Sequence, residues 1–147
     1  MLAIGCDHGG YLLKKAVINY LNSNNIEFKD FGTDSEESID YAPIAANVAR
    51  SVTNGECECG ILICGTGIGM SLAANKVKGI RAAVCTEEYS CEFTRRHNNS
   101  NVLCLGGRVI DEAKALQLVD IFLNTEFEGG RHQRRIDQIA MIENGEL

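Results

Sequence analysis

Seven cysteines, three histidines and a short run of arginines are the residues here that can move a proton or hold an anion. Cys64 ends an apolar run and opens the stretch Cys64-Gly65-Thr66-Gly67-Ile68-Gly69, with Met70 and Ser71 following. Closely spaced glycines ahead of a helix leave backbone N–H groups facing outward, and these suit a phosphate or an enediolate oxygen equally. The same N–H groups favour a thiolate, and a base poised near neutrality accepts protons efficiently, so Cys64 is a candidate base. A tight glycine turn with a packed thiol is the competing reading.

A second loop, Asp7-His8-Gly9-Gly10, places an acid and an imidazole at the end of the first apolar run, with glycines that let backbone approach a ligand. His8, His97 and His132 each fall in or beside a loop of unusual composition. Arg131, Arg134 and Arg135 form a local basic cluster in which 131 and 135 share a helix face. That face suits a phosphate, while the competing reading is a solvated helix start.

The rest of the composition narrows the classes. With 147 residues, 45% apolar content and one proline, the chain reads as a single domain, 1–147, able to bury a core. A formal charge of −6 argues against nucleic-acid or anionic-membrane partners, so an anion site must be local. No apolar run approaches a membrane span, and residues 2–4 are too short for a signal peptide, so a cytoplasmic protein is expected. An odd number of cysteines without an export signal points to reduced thiols. Cys57 and Cys59 form a C-x-C pair, yet no second Cys or His pair stands at zinc-ligand spacing, and no metal is expected there.

Short Ile/Val/Leu runs alternate with segments of helical period, the pattern of a parallel sheet covered by helices. Strands are expected at 2–6, 26–30, 60–64, 81–85 and 102–105. The first two helices carry stripes of Leu13, Ala16, Val17, Tyr20 and Leu21, then Ala45, Val48, Ala49 and Val52. Later helices are expected at 70–76, 87–96, 111–123 with Asp111 as N-cap, and 132–143 as a C-terminal arm. The fold class is therefore α/β, a Rossmann-like three-layer sandwich with a five-stranded parallel sheet in the order 2-1-3-4-5. Its winding reverses between strands one and three, which sets the loops after Cys6 and Ile63 across one crevice.

At this point the chain resembles the type B ribose-5-phosphate isomerases, a family that includes the galactose-6-phosphate isomerase subunits. The resemblance runs through residues 5–10, Asp30-Phe31-Gly32-Thr33, residues 63–69, Ala73-Ala74-Asn75-Lys76-Val77, Arg96-His97-Asn98-Asn99 and Gly129-Gly130-Arg131-His132-Gln133-Arg134-Arg135. It implies a cofactor-free aldose-ketose isomerase acting on a sugar phosphate. It also implies a homodimer, alone or as a dimer of dimers, with active sites at the subunit interface. One branch of the family uses a cysteine at the strand-three end as base and the other a glutamate further along. Cys64 is present here and Met70 occupies the glutamate position.

By the same resemblance His97 opens the furanose ring, with Asp7 or Thr66 handling the ring oxygen. Asn98 and the N–H groups from Gly67 to Ser71, in the loop that Gly65 begins, would hold the enediolate oxygens. The phosphate falls to His8, Arg108, Arg131, His132 and Arg135, some donated by the partner subunit. In the family a proline usually follows the tyrosine of Asp40-Tyr41, whereas here Ala42 precedes Pro43. Galactose-6-phosphate isomerase subunits typically lack the His-Asn-Asn and Arg-His-Gln-Arg-Arg runs, so their presence here favours a pentose phosphate over a hexose 6-phosphate such as allose 6-phosphate. A nucleotide-binding module is the alternative from another class, with Gly65–Gly69 as phosphate loop and Glu87 as ribose contact. Its spacing is G-x-G-x-G and it follows the third strand, which weighs against it.

Overall fold

The computed structural model describes residues 1–147. Five parallel strands form one sheet: β1 (Leu2–Cys6), β2 (Phe28–Asp30), β3 (Cys59–Cys64), β4 (Ala82–Val84) and β5 (Val102–Gly106). Six helices connect and cover them: α1 (Tyr11–Ser23), α2 (Tyr41–Thr53), α3 (Ile68–Ala74), α4 (Glu88–Asn98), α5 (Glu112–Asn124) and α6 (Arg131–Glu143). A single 3-10 turn, His8–Gly10, joins β1 to α1.

The period-two rule of a strand divides the core between two faces. Ile4, Cys6, Ile61, Ile63, Leu103 and Leu105 face one way, against Val17 and Leu21 of α1 and Leu118, Val119 and Phe122 of α5. Ala3, Leu62, Cys64, Val102 and Cys104 face the other way, against Val48 and Ala49 of α2 and Met70 and Ala74 of α3. Cys64 therefore belongs to the α2/α3 side. Asp111 caps α5 by accepting from the Lys114 amide at 2.8 Å, as its sequence position predicts.

The strand order is 2-1-3-5-4 rather than 2-1-3-4-5. The two outer strands differ in what they bury. All five residues of β5, Val-Leu-Cys-Leu-Gly, are buried, whereas the three of β4, Ala-Ala-Val, are only half-buried. The longer, more apolar strand takes the inner position, and the short one closes the edge, where a short strand limits unwanted pairing. Asn75 covers part of that edge, since its side chain accepts from the Ala82 amide at 2.8 Å and donates to the Ala82 carbonyl at 3.0 Å.

Two sequence motifs are spent on the scaffold. Lys14, on the inner face of α1, donates to both carboxylate oxygens of Asp30 at 2.8 and 2.9 Å and to the Thr33 carbonyl at 2.6 Å. This ties the Asp30–Thr33 segment to the end of β1, where the Cys6 amide donates to the Gly32 carbonyl and the Thr33 amide donates to the Cys6 carbonyl. The 3-10 turn then folds so tightly onto β3 that a Cβ on Gly10 would lie 2.4 Å from the Ile63 carbonyl oxygen. Only glycine allows that approach, which brings the Asp7 loop against the Cys64 loop as the winding predicts.

Candidate active site

The Cys64 loop is built so that its sulfur sits under a turn of backbone. Gly67 has φ 82°, a left-handed conformation that favours glycine, and its amide donates to Cys64 Sγ at 3.1 Å. The thiol is 5% exposed. Thr66 Oγ1 accepts from the Ile68 amide at 3.2 Å, and the Ser71 amide is taken by the Gly67 carbonyl. Ser71 Oγ donates back to the Ile68 carbonyl. Of the N–H groups from Gly67 to Ser71, those of Gly69 and Met70 remain without a partner, at the first turn of α3. The oxyanion donors are thus narrower than the motif suggests, and one of them belongs to Met70. The Met70 side chain is fully buried beside Cys64 and Ala74, which makes it core.

The neighbouring loops close around this nest. Asp7 is 6% exposed, and its Oδ1 accepts from the Gly9 amide at 2.8 Å. His8 Nδ1 accepts from the Ile39 amide at 3.2 Å, which leaves Nε2 free. His8 and Arg108 line one cavity of about 230 Å³, and the Arg108 guanidinium lies over Gly65. Tyr41, the first residue of α2, lays its ring over Gly69 so closely that a Cβ there would meet Cζ at 2.7 Å. With Pro43 still in the first turn, where its missing N–H costs nothing, Ala42 does not move Tyr41 off the nest. Tyr41 was not among the residues expected from the sequence, although its place beside Asp40 was noted.

The other expected residues gather elsewhere. His97 and Asn98 end α4, and the Asn98 carbonyl accepts from Arg81 Nε at 2.9 Å, at the start of β4. That is the opposite end of the sheet from Cys64. An 11-residue helix such as α4 is about 16 Å long, so one chain holds the two groups apart by roughly that distance. His97 stacks on His132 of α6, with ring centroids 4.0 Å apart and planes 10° from parallel. Phe93 meets the His97 ring edge-on at 4.8 Å, and Tyr89 stacks on Phe93 at 4.5 Å. This aromatic ladder walls a cavity of about 460 Å³ that Asn98 and Arg135 also line, a volume suited to a small ligand. Burial, and then the charges of His97 and Arg131, hold His132 below the ordinary imidazole value. Arg131 and Arg135 are exposed on α6.

One residue that the sequence reading passed over belongs to this second group. Glu128 is held by its own amide, which donates to the Arg96 carbonyl at 3.0 Å, and its Oε1 faces both imidazoles. Its i, i+4 spacing to His132 was visible in the sequence, but the approach of His97 from another helix was not. Glu87, by contrast, is occupied: it caps α4 by accepting from the Ser90 amide at 2.9 Å, which removes it as a ribose contact for a nucleotide. Of the remaining thiols Cys59 is half-buried and the others are buried. Burial pushes Cys6 and Cys59 up to about 11 and raises Cys104 further.

The geometry is thus two half-sites: a thiol under a glycine nest at one end of the sheet, and histidine, asparagine and arginine along its far edge. A family model described as Ribose/Galactose Isomerase matches residues 2–139. The chain belongs to that family. It is 49% identical over 142 residues to ribose-5-phosphate isomerase B of Escherichia coli, spanning 97% of this chain and 95% of that protein. The structure of Clostridium thermocellum ribose-5-phosphate isomerase B superposes with a TM-score of 0.97 at 50% identity, covering 98% and 97% of the two chains. That of the Mycoplasma genitalium ribose-5-phosphate isomerase B with bound ribulose 5-phosphate gives 0.92 at 43% identity, over 97% and 95%. These likenesses span both half-sites, from the Asp7 loop to the arginines of α6. No helix is long and apolar enough to cross a membrane.

Proposed function

We propose that this chain is an aldose-ketose isomerase that interconverts ribose 5-phosphate and ribulose 5-phosphate. The observation that carries the chemistry is the Cys64 sulfur under the Gly67 amide, one turn from the unpartnered amides of Gly69 and Met70. Cys64, as thiolate, takes the C2 proton of the open-chain aldose. The negative charge that develops spreads over the two oxygens of the enediolate, where the Gly69 and Met70 amides meet it with dipoles already in place. The same thiol returns the proton to C1, a proton passes between the two oxygens, and ketose forms without any change in redox balance.

Ring opening falls to His97, which removes the proton of the anomeric hydroxyl while Asp7 or Thr66 delivers a proton to the ring oxygen as its bond to C1 breaks. Asp7 Oδ2 is free for that task, because only Oδ1 is used in the turn. Asn98 holds the sugar oxygens. His8 and Arg108 contribute to the phosphate from the nest side, and Arg131, His132 and Arg135 from the other.

Those two sides lie at opposite ends of one chain, and a homodimer with shared active sites resolves the separation. A two-fold axis would bring one chain's His97 and α6 to its partner's Cys64. Tyr41, Ile68 and Leu72, all 41–61% exposed beside the nest, supply apolar surface for that contact. The seven free thiols suit a reducing compartment, and we assign the protein to the cytoplasm. The deciding experiment is isomerisation of ribose 5-phosphate beside allose 6-phosphate. Turnover of the pentose at a higher kcat/KM supports the reading, and exclusive turnover of the hexose would replace it.

A further inference from the structure

We infer that Glu128 is a positioning residue of the phosphate half-site, the carboxylate that lets His132 bind a sugar phosphate as a cation, a role that rests on the function proposed above. Glu128 Oε1 lies 3.5 Å from His132 Nε2 and 3.7 Å from His97 Nε2. Both separations exceed a hydrogen bond, so the carboxylate acts on the rings as a charge and leaves both nitrogens unspent. Its other oxygen, Oε2, lies 3.4 Å from Arg96 Nη1, which fixes its direction, and Arg96 is itself held by Glu92 at 2.8 Å.

The charges around His132 explain why it needs that carboxylate. Arg131 and Arg135 come from α6 itself, His97 and Arg96 from α4, and Tyr89 and Cys85 are the other titratable groups on the cavity wall. His132 is the second residue of α6, where the helix dipole also disfavours a cation, and no acidic side chain occupies that first turn. Burial, and then the charges of His97 and Arg131, lower its affinity for a proton, and Glu128 opposes them. The stacked rings, 4.0 Å apart, repel if both are protonated, so the pair carries one positive charge. A phosphate dianion held by Arg131 and Arg135 favours that charge on His132, and Glu128 keeps the ring basic enough for the dianion to draw the proton in from solvent. His97 is then left as the neutral ring, the form that accepts the proton of the anomeric hydroxyl.

The test compares the full-length wild type with Glu128→Gln and Glu128→Asp. The Glu128 side chain is 41% exposed and the residue is anchored by its backbone amide, so both variants keep the fold. One readout needs no substrate: proton NMR of the three imidazoles, His8, His97 and His132, assigned by single substitutions. In Glu128→Gln the His132 midpoint should move to lower pH, because the charge that favours its protonation is gone. The other readout is ribose 5-phosphate isomerisation across the range in which imidazole titrates. At neutral pH KM should rise by roughly three- to tenfold with kcat little changed, tenfold being the factor that corresponds to one pKa unit. The ratio of KM values should shrink toward one in acid, where His132 is protonated in both proteins. Glu128→Asp should restore part of the loss. An unmoved His132 midpoint, or a KM rise equal at every pH, would overturn the role and leave Glu128 a structural residue. A moved midpoint with KM unchanged at every pH would overturn it as well, by taking His132 out of phosphate binding while the isomerase activity stands.

Discussion

The Gly67 amide donates to the Cys64 sulfur across 3.1 Å, and the Gly69 amide, two residues on, has no partner at all. One loop therefore supplies both a hydrogen-bonded sulfur placed to act as base and an empty donor for the oxygen that becomes charged. The division follows from the left-handed Gly67, which turns its own N–H inward and lets α3 begin with its next amides facing out.

Cys64→Ala should lower kcat by on the order of 10²–10⁴ with KM little changed, because a general base acts in the transition state and adds little to ground-state binding. Alkylation should inactivate through a single adduct on Cys64, with ribose 5-phosphate protecting. Cys6 and Cys59, pushed up to about 11, remain thiols at neutral pH and should label only as the pH approaches that value. Peptide mass mapping at successive pH values reads both effects, and wild-type turnover in Cys64→Ala would move the base elsewhere, with Asp7 next in line.

Activity should survive exhaustive chelation. The enediolate charge is met by backbone dipoles of Gly69 and Met70, and no proton transfer in the cycle needs a Lewis acid. Loss of turnover with chelator, restored by an added divalent ion, would require a metal in the chemistry itself.

Lys14→Met tests the scaffold under the site. The ammonium is 2% exposed and holds Asp30, itself 30% exposed, together with the Thr33 carbonyl. Breaking a fully buried pair costs about 3–5 kcal/mol, and partial access of water to Asp30 reduces the expected loss to about 2–4 kcal/mol. Urea unfolding at neutral pH measures it. Adding Asp30→Asn should recover part of the loss, since the stranded carboxylate is then gone; no recovery would mean the cost lies in packing.

Lys14 also shows where the sequence was silent. Its position in α1, between Leu13 and Ala16, looks the same as that of an exposed lysine, and only the return of Asp30–Thr33 over the helix makes it internal. Periodicity and capping were legible because they are local: β1 and the Asp111 cap fall where they were expected. The places of β4 and β5 were not, because they depend on which strand buries more surface once both are made. The same limit hid Glu128. Four residues separate it from His132, but its second imidazole comes from α4. The loop motifs themselves were readable, and the amides that Thr66, Cys64 and Gly67 consume were not.

The two half-sites make a mixing experiment decisive. Residues 131–147 lie on the far edge of the sheet, with Ile136 buried, Glu143 accepting from the Gly79 amide at 2.9 Å, and Arg131 and Arg135 exposed. Arg131→Ala with Arg135→Ala should therefore leave the fold intact and raise KM strongly, since phosphate binding is lost before chemistry is touched. Cys64→Ala alone should bind and not turn over. When the two dead proteins are mixed and their subunits exchange, each mixed dimer has one site lacking both features and one site with both. At equal amounts and random exchange half the dimers are mixed, so about a quarter of wild-type activity should return. Native mass spectrometry reports the exchange independently. Mixed dimers without activity would mean that each α6 serves its own subunit, and the separation of His97 from Cys64 would then have to be closed by movement within one chain.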